Sequence, residues 1–473
     1  MAITSLAALE AQVRADLKLL DYPATEWVRP RATPTGEEIL DVVIIGGGQS
    51  GLAAAAALQR EKIKRVLVLD RNASNQAGPW RTFARMKTLR TRPELTGPCL
   101  GIPSLTVQHW WEAQHGAGSY ASLKLLPTEA WAQYLDWYQQ VLSLPVRAET
   151  EAGPLRWVEA LRCFEVPFTS ATARGCVLAR RVIVATGIEG SGAWLVPSFI
   201  AKALPKTRYS HTCEAIDFEA LRGKRIAVLG AGASAFDNAV VALEHGASVE
   251  QFVRRPEITR CKSPFHWAEF SGFMMQYARL PDSQKYRFMR KFAEMGQPAT
   301  YTAQEALSFE AFTLHTGEGW QAVEDGVDGV VVETRQRRYT FDYLILGTGY
   351  ATDLSTRPLY QNILGDLALW RDKYQPKTSD SIDQELLRHP YLGPNFEHVA
   401  KTEGRAPFVG YVFNYTFGGL ASNGLPGGSI AGLRYSVDRL VAGVVGSIFE
   451  EDTGALWDDL VAAAAVPIYP KLG

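Results

Sequence analysis

Residues 41–58, DVVIIGGGQSGLAAAAAL, constrain this chain more than any other stretch. A short apolar run, VVII, leads into Gly46, Gly48 and Gly51 and then into an alanine-rich segment. That order predicts a strand, a tight turn and a helix. Without side chains at the three glycines, the turn can close and its backbone can approach a pyrophosphate. The helix N-terminus attracts such a group through its free N–H donors and its dipole. RVLVLD predicts the following strand, and Asp70 at its end stands where a ribose hydroxyl is hydrogen-bonded. Two strands and an acid at this spacing make a dinucleotide-binding unit; a purely structural glycine turn is the competing reading.

The same grammar returns in KRIAVLGAGASAFDNAVVAL, with Gly230 and Gly232 in the turn and Ala235 in the third small position. Ser234 falls at the start of the predicted helix and joins the cofactor-binding candidates. The next strand, ASVEQFV, ends in Arg254 and Arg255 rather than in an acid. Two guanidiniums suit a 2′-phosphate, which favours NADP(H) over NAD(H); a solvated basic turn is the alternative. RRVIVATGI and YLILGTGYATD, two further strand endings, flank this second unit.

The predicted fold class is therefore α/β with two Rossmann-like dinucleotide-binding domains, the second inserted into the first. The expected boundaries are a helical extension over 1–35, the first domain over 36–205, the inserted domain over 206–335 and the return over 336–473. In the extension, Leu6, Leu9, Val13, Leu17 and Leu20 share one helical face and predict a docking helix. Trp131, Tyr134 and Tyr138 also have helical spacing and read as core. CKSPFHWAEFSGFMMQYARL reads as packing or as a pocket cover.

Composition removes several other classes. The 49 Lys and Arg against 50 Asp and Glu leave a net charge of -1, which argues against an obligate polyanion or nucleic-acid binder. No apolar run approaches the roughly 20 residues that span a bilayer, so no membrane partner is expected and a cytoplasmic setting is. The 5 cysteines contain no CxxC pair, and the 8 histidines form no HExxH or clear Cys/His pattern. Neither a dithiol reductase nor a metal site is expected. A homo-oligomer is weakly favoured, through the apolar helices.

The paired turns and strand endings, taken in order, resemble the class B flavin monooxygenases over roughly residues 38–440. GGGQSG resembles that family's FAD fingerprint, GAGASA its NADPH fingerprint, and ATG and TGY its strand ends. The resemblance implies FAD on Gly46, Gly48, Gly51 and Asp70, with Trp80 and Arg81 of GPWR as neighbours. KTLRTRPELTGPCLGIPSLT resembles a flavin-proximal segment, and its Lys87, Arg90 and Arg92 are candidates for a polar wall or for an acidic substrate group. A solvated face is the alternative. GYVFNYTFGGLASNGLPGGSIAGL resembles the segment that completes the flavin site, which puts forward Asn423, Leu425 and Gly427; Asn414 could serve flavin, substrate or the loop itself.

His211 resembles the linker histidine that couples the two cofactor domains, although a local hydrogen bond is the stronger reading of the residue by itself. The surrounding FxGxxxH fingerprint is incomplete, with Pro205 and Thr207 in its phenylalanine and glycine positions and Ala215 in the later aromatic one. Lys87, Arg90 and His211 are thus the catalytic candidates.

The implied reaction is an NADPH- and O2-dependent monooxygenation of a small molecule through a C4a-(hydro)peroxyflavin, with N-hydroxylation or another heteroatom oxygenation leading. An FAD-dependent NADPH oxidoreductase without a stable oxygenating intermediate is one alternative. A cofactor-binding regulatory protein is another.

Overall fold

The VVII run lies in the Glu38–Ile45 strand, whose Val42, Val43 and Ile44 are fully buried. A computed structural model describes residues 5–95, 97–258, 263–295, 301–377, 382–425 and 428–464. Cys261 and Gly427 lie outside these residues.

Parallel strands buried on both faces read as continuous apolar runs, and here Val66–Leu69 and Arg174–Val184 flank Glu38–Ile45 in parallel. Ile44 is in register with Val68 on one side and with Ile183 on the other. The Val412–Asn414 strand returns to the same sheet and pairs in parallel with Arg174–Val184. A second, five-stranded sheet is parallel throughout, in the order Tyr209–His211, Tyr343–Leu346, Arg225–Leu229, Ser248–Val253 and Phe312–Thr316. All of its strands fall in the chain between two strands of the first sheet. Tyr343–Leu346, expected beyond the boundary at 335, is bonded within this second sheet.

Alanine does two things for the Gln49–Arg60 helix: it has the highest helix propensity, and it lets neighbours come close. Ala53, Ala54, Ala55 and Ala57 are fully buried, and the helix packs on Thr128–Val141 and on the long Ile430–Ala464 helix. Trp131, Tyr134 and Tyr138 are all core. Tyr134 donates to the Leu105 carbonyl and Tyr138 to that of Pro98, each at 2.7 Å, so one aromatic helix pins the 87–106 segment. Phe273, Met274 and Tyr277 of that aromatic stretch pack with Trp370 and Leu425.

The N-terminal helix, Leu6–Leu19, is capped by Ser5 and buries Leu9 and Val13. Leu20, expected on the same face, is the residue after the helix and stands exposed. No helix among the described residues is long and apolar enough to cross a membrane.

The long C-terminal helix is fixed to the first sheet by buried charge. Arg180 and Arg181, adjacent on the central strand, are fully buried. Arg180 forms a two-pronged pair with Asp452 at 2.7 and 3.0 Å, and both arginines reach Glu451 at 3.0 Å. Removing one member of such a group leaves an uncompensated buried charge. Glu451→Ala is therefore expected to lower unfolding free energy by about 3–5 kcal/mol. Urea denaturation checks this, and a loss below about 1 kcal/mol would show the cluster to be screened by water.

Candidate active site

A cavity of about 370 Å³ runs along the first glycine turn and into the second nucleotide unit. Of the residues singled out in the sequence, Gly46, Gly48, Asp70, Trp80, Arg90 and Ser234 line it.

The turn is built by exclusion. Gly46 has φ +107°, and a Cβ there would press on the Ala185 carbonyl. A Cβ on Gly51 would land on the carbonyl oxygen of Gly46. Gly48 caps the Gln49–Arg60 helix with no side chain to occupy its free N–H groups, so these remain available to an anion. Asp70 is only 7% exposed; its carboxylate accepts from the Gly47 N–H at 2.6 Å and from the Asn72 N–H at 2.8 Å. Trp80 lies edge-on to Trp131, and its indole N–H is buried without a partner.

The second turn follows the same rule. Gly230 has φ +132°, and a Cβ would strike the Gly347 carbonyl. Gly347 in turn approaches Ala235, so that an added Cβ would sit 2.5 Å from the alanine's own. This contact is why the third position must be small. Gly232 caps the Ala233–Glu244 helix and faces open space, with nothing within 4 Å of a built Cβ.

The other sequence candidates are held elsewhere. Arg81 bonds Asp136 at 2.6 Å, Glu129 at 2.9 Å and the Asn75 carbonyl at 2.8 Å, and does not line the main cavity. Its bond to Glu129 is the main cause raising its pKa, against a smaller effect of burial. Lys87 pairs with Glu244 and, at 2.6 Å, with Glu305, both in the second unit, and does not line the cavity. Arg92 approaches Glu269 at 3.7 Å. Arg254 and Arg255 follow the Ser248–Val253 strand and are exposed. Asn423 donates to the Gly393 carbonyl at 3.2 Å and accepts from Arg439 at 3.1 Å, while Leu425 packs in the aromatic cluster. Asn414 is buried among Ser191, Tyr360 and Thr416.

His211 is buried behind the cavity wall rather than on it, beside Trp194 at 5.3 Å between ring centroids. Its Nδ1 accepts from the Cys213 N–H at 3.2 Å, and burial lowers its pKa, keeping the ring neutral. Thr212, Cys213 and Trp194 do line the cavity. Burial pushes the Cys213 thiol up to about 12, so it stays protonated.

Asp237 and Asn238, one turn along the helix from Ser234, line the cavity and were not singled out in the sequence. The signal was an acid and an amide inside an otherwise apolar run, FDNAVVAL. Asp237 is 5% exposed and pairs with Arg90 across the two units. Burial raises its pKa, opposed by Arg90. Arg90 Nε, Asp237 Oδ1 and Asn238 Oδ1 are buried without hydrogen-bond partners, the pattern expected where a ligand completes a wall.

Known proteins are similar to this arrangement. The family model for pyridine nucleotide-disulphide oxidoreductases matches residues 43–269. An FAD-dependent urate hydroxylase of Xanthomonas campestris pv. campestris is 43% identical over 454 residues, 96% of this chain and 95% of that one. The chain belongs to the class B flavin monooxygenases. That relative is an FAD-dependent hydroxylase, which favours a flavin monooxygenase over a reductase or a regulatory protein.

Solved structures share the fold. An ornithine hydroxylase of Pseudomonas aeruginosa has a TM-score of 0.69 at 15% identity, covering 86% of this chain and 98% of that one. An ornithine N-hydroxylase of a Kutzneria species, with reduced FAD, NADP+ and L-ornithine, has a TM-score of 0.63 at 16% identity, covering 86% and 99%. Among the described residues, Cys99, Cys163, Cys176 and Cys213 are all free. Among the described residues no group of three or more His, Cys, Asp or Glu is placed to hold a metal.

The residues present fit both cofactors: two glycine-capped helix N-termini, a buried acid after the first unit's second strand, and unpartnered polar atoms on the cavity wall. Asp70→Ala removes the acceptor facing Gly47 and is expected to weaken FAD binding roughly tenfold or more. Flavin fluorescence during reconstitution measures it, and an unchanged affinity would remove Asp70 from the site.

Proposed function

We propose that this chain uses NADPH and O2 to hydroxylate urate or a closely related oxopurine anion. The observation that carries the reading is 43% identity to a urate hydroxylase across nearly the full length of both chains. In this reaction one oxygen atom enters the substrate. The other leaves as water with the hydride of NADPH and a proton. Bound FAD supplies the two-electron relay and the activation of oxygen.

The protein's part is to hold and orient. Gly46, Gly48, Gly51, Asp70 and Trp80 form the FAD side. Gly230, Gly232 and Ser234 form the NADPH side, with Arg254 and Arg255 for its 2′-phosphate. The second unit interrupts the first, a reading supported by the chain order of the two sheets. Arg90 has spare donors at the cavity wall and is the candidate cation for the substrate anion, with Asp237 keeping it in place. Lys87 joins the units, and His211 supports Trp194 and Cys213 from behind. A cytoplasmic setting suits the demand for NADPH. Half-exposed Phe449, Trp457 and Leu460 on the C-terminal helix support the homo-oligomer reading.

Turnover of urate under oxygen-18 gas, followed by product mass, tests the reaction. One labelled atom in the product is expected. NADPH consumption that yields only peroxide would overturn the assignment to urate. Loss of the purine absorbance would place the oxygen on ring carbon, because that breaks conjugation; retention would place it on nitrogen. Replacing Arg254 and Arg255 together by Ala is expected to raise the KM for NADPH roughly tenfold or more while leaving NADH use little changed. Equal losses with both coenzymes would contradict the 2′-phosphate role.

A further inference from the structure

We propose that Arg85 is an anion subsite of the cavity, taking an anionic oxygen group of a bound ligand at the seam between the two nucleotide units. The ligand classes it draws on rest on the function proposed above.

Arg85 lines the cavity and is immobilised by neutral groups alone. Its Nη1 donates to the Thr82 carbonyl at 2.8 Å and its Nη2 to the Glu214 carbonyl at 3.0 Å. Its guanidinium lies 5.7 Å from the centre of the Phe218 ring. Among the described residues, no carboxylate lies within ion-pairing distance of Arg85.

Of the other cavity cations, Arg357 likewise has no ion pair among the described residues, while two contrast with Arg85. Arg71 is paired with Glu189, and Arg90 with Asp237. Burial lowers the Arg85 pKa, and no neighbouring anion offsets it. A partly buried cation without a counter-charge is costly. Here the guanidinium plane is fixed and donors are left over, the arrangement that receives a phosphate or an enolate oxygen through charge-assisted bonds.

The location narrows the source. Glu214 and Phe218 lie between the Tyr209–His211 strand and the Arg225–Leu229 strand that begins the second turn. Arg85 comes from the first unit, five positions before Arg90. An anion held there touches both units at once. A phosphate of the nicotinamide dinucleotide is the source this placement favours, and the oxopurine anion is the other.

The test compares Arg85→Gln and Arg85→Lys with wild type, all loaded with FAD. Flavin absorbance and thermal unfolding first establish that each variant is folded. Calorimetric titration with NADP+ is expected to show binding weakened roughly tenfold or more in Arg85→Gln and less in Arg85→Lys, with the KM for urate unchanged. A raised urate KM with NADP+ binding unchanged would assign the subsite to the substrate instead. If both constants stay within about twofold of wild type, Arg85 is a structural cation and the proposal is overturned. Failure of wild type to label urate would sink the substrate assignment alone, because the NADP+ titration needs no turnover.

Discussion

No side chain fits at Gly46 or Gly51, and the rest of the molecule is arranged around that exclusion. With the Gly46 backbone against Ala185 and the Gly51 position against Gly46, the first helix can lie close over the central strands. Its alanines then fill the layer between sheet and outer helices. The long C-terminal helix closes this layer from outside. It is held there by Arg180 and Arg181 of the same central strand, so the first glycine turn and the Ile430–Ala464 helix share one support. The second unit repeats the device with Gly230 and Gly347, and its outcome is a second helix N-terminus that opens on the same cavity.

A six-residue stretch of the first unit, 85–90, joins it to the second through polar contacts, beside the apolar seam where Phe273, Tyr277 and Phe292 pack with Trp370 and Leu425. Arg85 reaches the Glu214 carbonyl, Lys87 reaches Glu244 and Glu305, and Arg90 reaches Asp237. Three cations from one segment thus meet the Glu214 carbonyl, the Ala233–Glu244 helix and the Tyr301–Leu307 helix of the second unit. Hydride transfer between two cofactors needs their reacting rings held at contact distance. A seam fixed at several points supplies that constraint more firmly than either glycine turn alone. Arg90 and Asp237 are bonded to each other yet each keeps a buried polar atom without a partner. The wall is thereby stable without ligand and still able to bind one.

What could be read from the sequence was local. The glycine spacings, the strands beside them and Asp70 all follow from neighbours within one βαβ unit, and the helical spacing of Trp131, Tyr134 and Tyr138 marks core directly. The fates of the charged candidates were not local. Arg81 is taken by Glu129 and Asp136, 48 and 55 residues away, and Lys87 by residues 157 and 218 away. Nothing in KTLRTRP distinguishes a cation aimed at a ligand from one aimed at a distant carboxylate. Leu425, put forward by resemblance to a flavin-completing segment, packs its side chain in an aromatic cluster built from distant parts of the chain. Asp237 was legible in principle, since an acid on the buried face of an apolar helix requires a partner.

Hydride exchange requires both cofactors to share one cavity at contact distance. Anaerobic mixing of the FAD-loaded protein with NADPH, followed by flavin absorbance, tests this most directly. Rapid and complete bleaching is the predicted result. A flavin that stays oxidised in the presence of bound NADPH would show that the cavity does not bring the two together, and would contradict the account.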